Sequence, residues 1–306
     1  MKVAAVILAA GLGKRMESSL PKVLHEVAEK PMISIILETL RDTPVSKSYV
    51  ITGYGADLVQ KEVSEFSVEC LFQRAQLGTG HAVSQILDCP DFVDYDYVLI
   101  LCGDVPLLTA TMLTDLIDEV ASNQVEGALL GCDINDPYGY GRVVQDENSY
   151  VHKVVEEKVA TLEEKKISRI NSGIYCFKRD ALFEALKKLP YRETVQEMFL
   201  TDIFEIFYAE KKKVKFVLTK SFESILGVNS KKDLAFVNTL FQKRYKKSLM
   251  EQGVCFVDPD SSYVALDVEI GEGVTVEKGA VIHRGSKILP GTVVKAFSNV
   301  EKYVTI

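Results

Sequence analysis

The residues best equipped for chemistry cluster early, in VILAAGLGKRMESSLPKVLHEV, residues 6–27. An apolar run breaks at Gly11 and Gly13, turns basic at Lys14 and Arg15, and sets a third cation, Lys22, after a proline. Glycines at a strand end let backbone N–H groups come close to an anion, which Arg15 and Lys22 can neutralise, so the pattern predicts a polyphosphate cradle. It is neither the P-loop spacing, which needs Ser or Thr after its lysine, nor the spaced dinucleotide fingerprint. Taken alone, a glycine turn with solvated lysines explains it too. YVLILCGDVPLL adds Asp104 directly after a second apolar run, where its carboxylate would project from the carboxyl edge of a sheet. A hard divalent ion such as Mg²⁺ takes one or two such protein oxygens and leaves its other positions to phosphates and water. The bland alternative is a turn-forming aspartate before Val-Pro. In FQRAQLGTGHAV, residues 72–83, a Gly-Thr-Gly turn opens a helix, and Gln73 offers the paired donor and acceptor that a pyrimidine edge requires.

These groups need a scaffold. From residue 1 to about 225, the runs VAAVILA, SYVITGY, YVLILC, EGALLGC, SGIYCF and VKFVLT read as strands bounded by Gly, Pro, Asn or Asp. Helical periodicity appears in MISIILETLRD, HAVSQILD, TATMLTDLIDEVASNQ and DALFEALKKL. Near-continuous apolar strands alternating with helices predict an α/β fold: a mostly parallel sheet covered on both faces, with ligands beyond the carboxyl ends of its strands. A basic amphipathic helix ending at Gly253 follows as a connector. After it, aliphatic residues recur every six positions, at Val264, Ile270, Val276, Ile282, Ile288, Val294, Val300 and Ile306, with Gly273, Gly279, Gly285 and Gly291 in step. Period six fits neither a helix nor an alternating strand; it fits a parallel β-helix of about eighteen residues per three-sided coil. Little more than two coils fit between residues 264 and 306, so packing against other copies is expected.

Composition sets the outer bounds. The 306-residue chain is 47% hydrophobic and 26% charged, with a net charge of -7, which disfavours general binding to nucleic acid or to an anionic membrane surface. No stretch reaches the ~20 apolar residues of a membrane span. The apolar amino end runs straight into a glycine loop, so it reads as a core strand rather than a signal peptide. Six scattered cysteines without a Cys-x-x-Cys pair, and four scattered histidines, point to free thiols in a reducing cytoplasm and away from a zinc site.

In this order, LAAGLGKRM…LPKVLH, QLGTGHA, GDVPL, DPYGYGRVV, VVEEK, INSGIYCF, FLTD and GVNSK resemble the bacterial N-acetylglucosamine-1-phosphate uridylyltransferases, also called UDP-N-acetylglucosamine pyrophosphorylases. The resemblance covers residues 3–306. The opening motif alone indicates only the wider sugar-phosphate nucleotidyltransferases; QLGTGHA, GYGR and GVNSK together narrow it. It implies a Rossmann-like nucleotidyltransferase domain over 1–228, a connector helix over 229–253 and a short left-handed β-helix over 254–306. The implied reaction is Mg²⁺-dependent uridylyl transfer from UTP to N-acetylglucosamine-1-phosphate, in the cytoplasm, by a homotrimer. Leu8, Ala10, Gly11 and Gly13 would hold the nucleotide, with Arg15 and Lys22 stabilising phosphate charge as the catalytic pair. Gln73, Gly78 and Thr79 would face uracil and ribose, Asp104 and Asn229 would bind Mg²⁺, and Gly141, Glu156, Asn171 and Asn229 would serve the substrate side.

Physically this set suffices. The sugar phosphate is already an anionic nucleophile, so displacement at the α-phosphorus needs alignment and charge neutralisation rather than a general base. Two positions depart from the family: Cys102 replaces a tyrosine before Gly-Asp, and Met198-Phe199 replaces an aromatic pair, both bearing on the sugar. Family members commonly continue through further coils that hold an acetyl-coenzyme A site, and acetyltransferase activity is not expected of this chain. The competing expectations are a uridylyl- or thymidylyltransferase for another hexose-1-phosphate, and a non-catalytic nucleotide-binding scaffold.

Overall fold

The apolar runs pair as expected from their alternation with helices, and the computed structural model describes residues 1–306 throughout. In chain order the elements are β1 (Val3–Leu8), β2 (Glu26–Val27), β3 (Lys30–Pro31), α1 (Met32–Arg41), β4 (Val45–Thr52), α2 (Ala56–Val63), β5 (Val68–Phe72), α3 (Thr79–Ser84), β6 (Tyr97–Cys102), α4 (Ala110–Ser122), β7 (Gly127–Asp133), β8 (Gly141–Gln145), β9 (Val151–Val155), β10 (Arg169–Lys178), α5 (Arg179–Leu186), α6 (Ile203–Ala209), β11 (Val214–Leu218) and α7 (Lys231–Glu251). They fall into two units, residues 1–24 with 33–227, and residues 25–32 with 228–306. The segment around β2 and β3 thus groups with the carboxyl-terminal part, although it lies within the stretch 1–228 assigned above to the first domain.

In the first unit the strand order is β11-β7-β10-β6-β1-β4-β5. β1 pairs in parallel with β4 and β6, β4 with β5, and β7 with β11. β10 alone on this path runs the other way, antiparallel to β6 and β7. The connection from β7 to β10 passes through the antiparallel pair β8 and β9 instead of a crossover helix, and that return reverses the incoming strand. Alternation along β1 divides the core in two. Val3, Ala5 and Ile7 pack with α1, α2 and α4, through residues such as Ile36, Val59 and Leu116. Ala4 and Val6 face the other side with α3, α5 and α6, through Val83, Leu182 and Phe204. No helix is long and apolar enough to cross a membrane.

In the second unit α7 lies on a three-sided solenoid. Gln242 bonds both ways with the Val264 backbone, donating from Nε2 at 2.6 Å and accepting from N–H at 3.1 Å. One turn on, the buried Lys246 ammonium donates to the Ser262 carbonyl at 2.7 Å and to that of Pro259. Two-residue strands then stack in parallel, Tyr263–Val264 on Val281–Ile282 and Glu269–Ile270 on Lys287–Ile288, each eighteen residues apart. The first rung differs: Cys255 pairs Thr275, twenty residues on, because the corner at 257–262 holds two extra residues, and Lys246 binds two of that corner's carbonyls. Of the period-six residues, Val264, Val276, Ile282, Ile288, Val294 and Val300 are buried, Ile270 is partly buried and Ile306 is exposed.

β2 and β3 form a two-residue hairpin whose turn residues, Ala28 and Glu29, both have positive φ, 51° and 62°. Side chains with a Cβ resist that conformation, and it persists only where surroundings hold it. Here Ala28 N–H donates to Asn238 Oδ1 at 2.9 Å, and its carbonyl accepts from Leu266 N–H at 2.9 Å. Glu29 meets the His283 ring at 2.5 Å, and His283 also meets Asn299 at 2.9 Å. The Glu29 hydrogen bond raises the His283 pKa above its ordinary 6.5. A raised folded-state value stabilises the fold fully below the unfolded pKa and ceases to as pH climbs through the folded one. Thermal melts from pH 6 to 9 should therefore show wild type losing more stability above about 6.5 than Glu29→Gln does. Parallel curves for the two proteins would contradict the contact's role.

Candidate active site

A cleft of about 430 Å³ opens over the carboxyl ends of β1 and β6. Leu8 ends β1, Cys102 ends β6, and the two are paired across the sheet. Just beyond, Gly103 N–H donates to the Leu8 carbonyl at 2.9 Å, which turns the chain and brings Asp104 into the cleft wall. Lys22 reaches the same wall from the loop after β1, and its ammonium forms an ion pair with the Asp104 carboxylate. Two glycines permit that approach. A Cβ on Gly13, whose φ is 58°, would come 2.8 Å from Lys22 Cβ, and one on Gly55 would come 2.4 Å from the Pro21 ring. Gly13 therefore serves the cation's stem rather than lining the cleft itself.

The opposite wall is zipped together by backbone. Met198 N–H donates to the Leu77 carbonyl at 2.7 Å, Gly80 N–H donates to the Met198 carbonyl at 2.8 Å, and Thr79 Oγ1 accepts from Leu200 N–H at 3.2 Å. Gly78, at φ 100°, passes so close that an added Cβ would stand 2.6 Å from the Met198 oxygen. Gln73, only 2% exposed, sits just past β5, which it extends through a bond from its N–H to the Thr52 carbonyl at 2.8 Å.

Four carboxylates and two lysines line the space: Asp104, Glu156, Glu157 and Glu197, with Lys22 and Lys158. Most are paired. Lys158 spans to Glu197 at 2.8 Å, and Glu157 meets the buried Arg142 guanidinium at 2.7 Å while accepting from Gly139 N–H at 3.3 Å. Glu156 is held by the Thr201 hydroxyl at 2.9 Å, and burial raises its pKa. Cys102 faces Asp104 chemistry without joining it. Burial, then the Asp104 charge, push its thiol up to about 12, so it stays protonated and offers no soft thiolate ligand.

Of the residues singled out in the sequence, Leu8, Ala10, Gly11, Lys22, Gln73, Gly78, Thr79, Asp104 and Glu156 line this one cleft. Arg15 is exposed on the short turn Lys14–Met16 and is not among the lining residues. Gly141 and Asn171 face each other across β8 and β10, and Asn171 donates to the Tyr175 hydroxyl at 2.8 Å. Asn229 belongs to the second unit, where its N–H donates to Asp233 at 3.1 Å. Sequence reasoning passed over Gln76, Gly139, Glu157, Lys158 and Glu197 as lining residues. Glu157 and Lys158 carried a signal, standing inside the VVEEK motif, whereas Glu197 joins only through the fold.

As to a metal, no group of three or more His, Cys, Asp or Glu side chains is arranged to hold one. A hard ion bound largely by phosphates and water asks for less: one carboxylate in the wall of the cleft, which Asp104 provides.

Residues 5–198 match the family model for the MobA-like NTP transferase domain. The bifunctional protein GlmU of Alkaliphilus metalliredigens is 35% identical over 305 residues, 99% of this chain and 66% of that protein. The bifunctional protein GlmU of Enterococcus faecalis is 39% identical over 278 residues, 91% of this chain and 60% of that one. The chain thus spans between three-fifths and two-thirds of the length of these curated relatives. Among solved structures, a CMP:2-keto-3-deoxy-manno-octonic acid synthetase complexed with CTP superposes with a TM-score of 0.61 at 20% identity, covering 80% of this chain and all of that one, a likeness of fold.

Proposed function

This chain belongs to the MobA-like NTP transferase family, and from that premise we propose that it transfers the uridylyl group of UTP to N-acetylglucosamine-1-phosphate, releasing pyrophosphate. The observation that carries the reading is the Lys22–Asp104 pair in a cleft at the carboxyl edge of β1 and β6. A sugar-phosphate oxygen attacks the α-phosphorus of UTP; one P–O bond forms as the bond to the β-phosphate breaks, and no proton has to move. Lys22 would neutralise charge that gathers on the phosphates, as a preorganised cation does at low reorganisation cost. Gln73, Gly78 and Thr79 would receive the nucleoside. Glu156, kept on station by Thr201, would accept from a sugar hydroxyl. Asp104 would hold Mg²⁺, and the bound ion supplies further neutralisation of phosphate charge.

The second unit is read as a left-handed solenoid through which three copies assemble, which its short run of coils and its neighbouring α7 support. Six free cysteines suit a cytoplasmic setting. Sedimentation equilibrium should give a trimer mass, and a concentration-independent monomer would remove the assembly claim.

The activity itself is tested by Mg²⁺-dependent pyrophosphate release from UTP with N-acetylglucosamine-1-phosphate, glucosamine-1-phosphate, glucose-1-phosphate and N-acetylgalactosamine-1-phosphate. The first should be preferred by at least ~10-fold, and Asp104→Ala should lose at least ~100-fold. Preference for another sugar would overturn the sugar assignment, and no release with any of them would overturn the transferase reading.

A further inference from the structure

Gln73 is nearly sealed from solvent, yet its side chain borders the cleft. Both of its side-chain hydrogen bonds leave from Nε2. One goes to the Gly78 carbonyl at 3.2 Å and the other to His81 Nδ1 at 2.9 Å. A carbonyl only accepts, so the atom beside Gly78 must be the amide nitrogen; the flipped amide would set oxygen against oxygen. An amide nitrogen only donates, so His81 Nδ1 must accept, and the ring proton then sits on Nε2. With both N–H groups committed to Gly78 and His81, Oε1 is what Gln73 has left to offer the cleft. His81 stands in the first turn of α3, whose start is pinned by the close passage of Gly78 and Gly80 against Met198.

We propose that His81 is a positioning residue: with the Gly78 carbonyl it holds the Gln73 amide with Oε1 toward the cleft, so the site takes a pyrimidine bearing N–H at position 3 in preference to one bearing a lone pair there. Uracil and thymine donate from that position; cytosine presents an acceptor and would meet the carbonyl lone pairs of Gln73. Discrimination of this kind is steep because a mismatched partner leaves a buried polar atom unpaired. The proposal rests on the nucleotidyltransferase reading and adds to it how the base is chosen.

The test is pyrophosphate release with UTP, dTTP and CTP at fixed sugar phosphate, for wild type, His81→Phe and His81→Asn. Wild type should prefer UTP and dTTP over CTP by at least ~10-fold in kcat/KM. His81→Phe keeps a planar ring without the acceptor, and should raise the KM for UTP ~10-fold, change kcat by less than ~3-fold, and cut the UTP-to-CTP preference at least ~5-fold. His81→Asn restores an acceptor at the Nδ1 position and should recover the preference. A merely structural histidine would lower activity with both nucleotides together and leave their ratio unchanged, which would overturn the proposal. So would a wild type that uses UTP and CTP equally, a result that needs no variant to fold and leaves the transferase reading standing. A wild type that releases pyrophosphate with no nucleotide would sink both.

Discussion

Everything in the cleft is arranged around one partly buried ion pair, Lys22 with Asp104. Neither charge could be left in that place alone, since an uncompensated charge at a sheet edge out of water is costly. Each comes from a different parallel connection: Asp104 from the turn after β6, Lys22 from the long loop after β1. Their meeting is therefore a consequence of β1 lying directly beside β6, Leu8 opposite Cys102. A pair held this way serves polyanionic ligands well. Its lysine is already aimed, and its carboxylate is a hard oxygen donor for a cation that arrives with phosphates.

The remaining walls extend the same economy of close approach. Gly13 and Gly55 make room for the lysine loop, and Gly78 lets the opposite wall of the cleft press against Met198. Backbone contacts hold Gln73 and Thr79 at fixed stations, and the Thr201 hydroxyl does the same for Glu156. Two further ion pairs, Lys158 with Glu197 and Arg142 with Glu157, satisfy carboxylates that would otherwise add to the negative charge facing an anionic substrate.

Much of this was legible in the residues, and the parts that were not share a cause. β1, β6 and β7 were visible as apolar runs because strands buried on both faces carry little but aliphatic side chains, and β4 and β11 because apolar residues dominate the buried part of each. β5, β8 and β9 escaped notice: their runs are broken by Glu69, Arg142 and Lys153, whose partners, Lys47, Glu157 and Glu164, lie elsewhere in the chain. SGIYCF read as a strand, but its reversed direction follows from that hidden β8–β9 pair. The period of six was plain because each corner repeats its geometry, and the twenty-residue first rung was not, because its corner carries two residues that break the period. Segment 25–32 looks in sequence like a continuation of the phosphate loop; Ala28 bonded to Asn238 and Leu266, Glu29 meeting His283 and Lys30 meeting Asp267 assign it to the solenoid's unit. In the cleft, Lys22, Gln73, Thr79, Asp104 and Glu156 were found from their motifs, Arg15 and Asn229 fall outside its lining, and Glu197 was missed because its pairing with Lys158 is not disclosed by spacing.

The central claim is that Lys22 and Asp104 act as one device. A double-mutant cycle with Lys22→Met and Asp104→Asn, read as kcat/KM for pyrophosphate release at saturating Mg²⁺, tests it most directly. Each single variant should lose at least ~100-fold, and the double variant should fall no more than ~10-fold below the weaker single one, as for groups that work as a unit. If the two losses simply multiply, the residues contribute independently and the account built on their pairing is wrong.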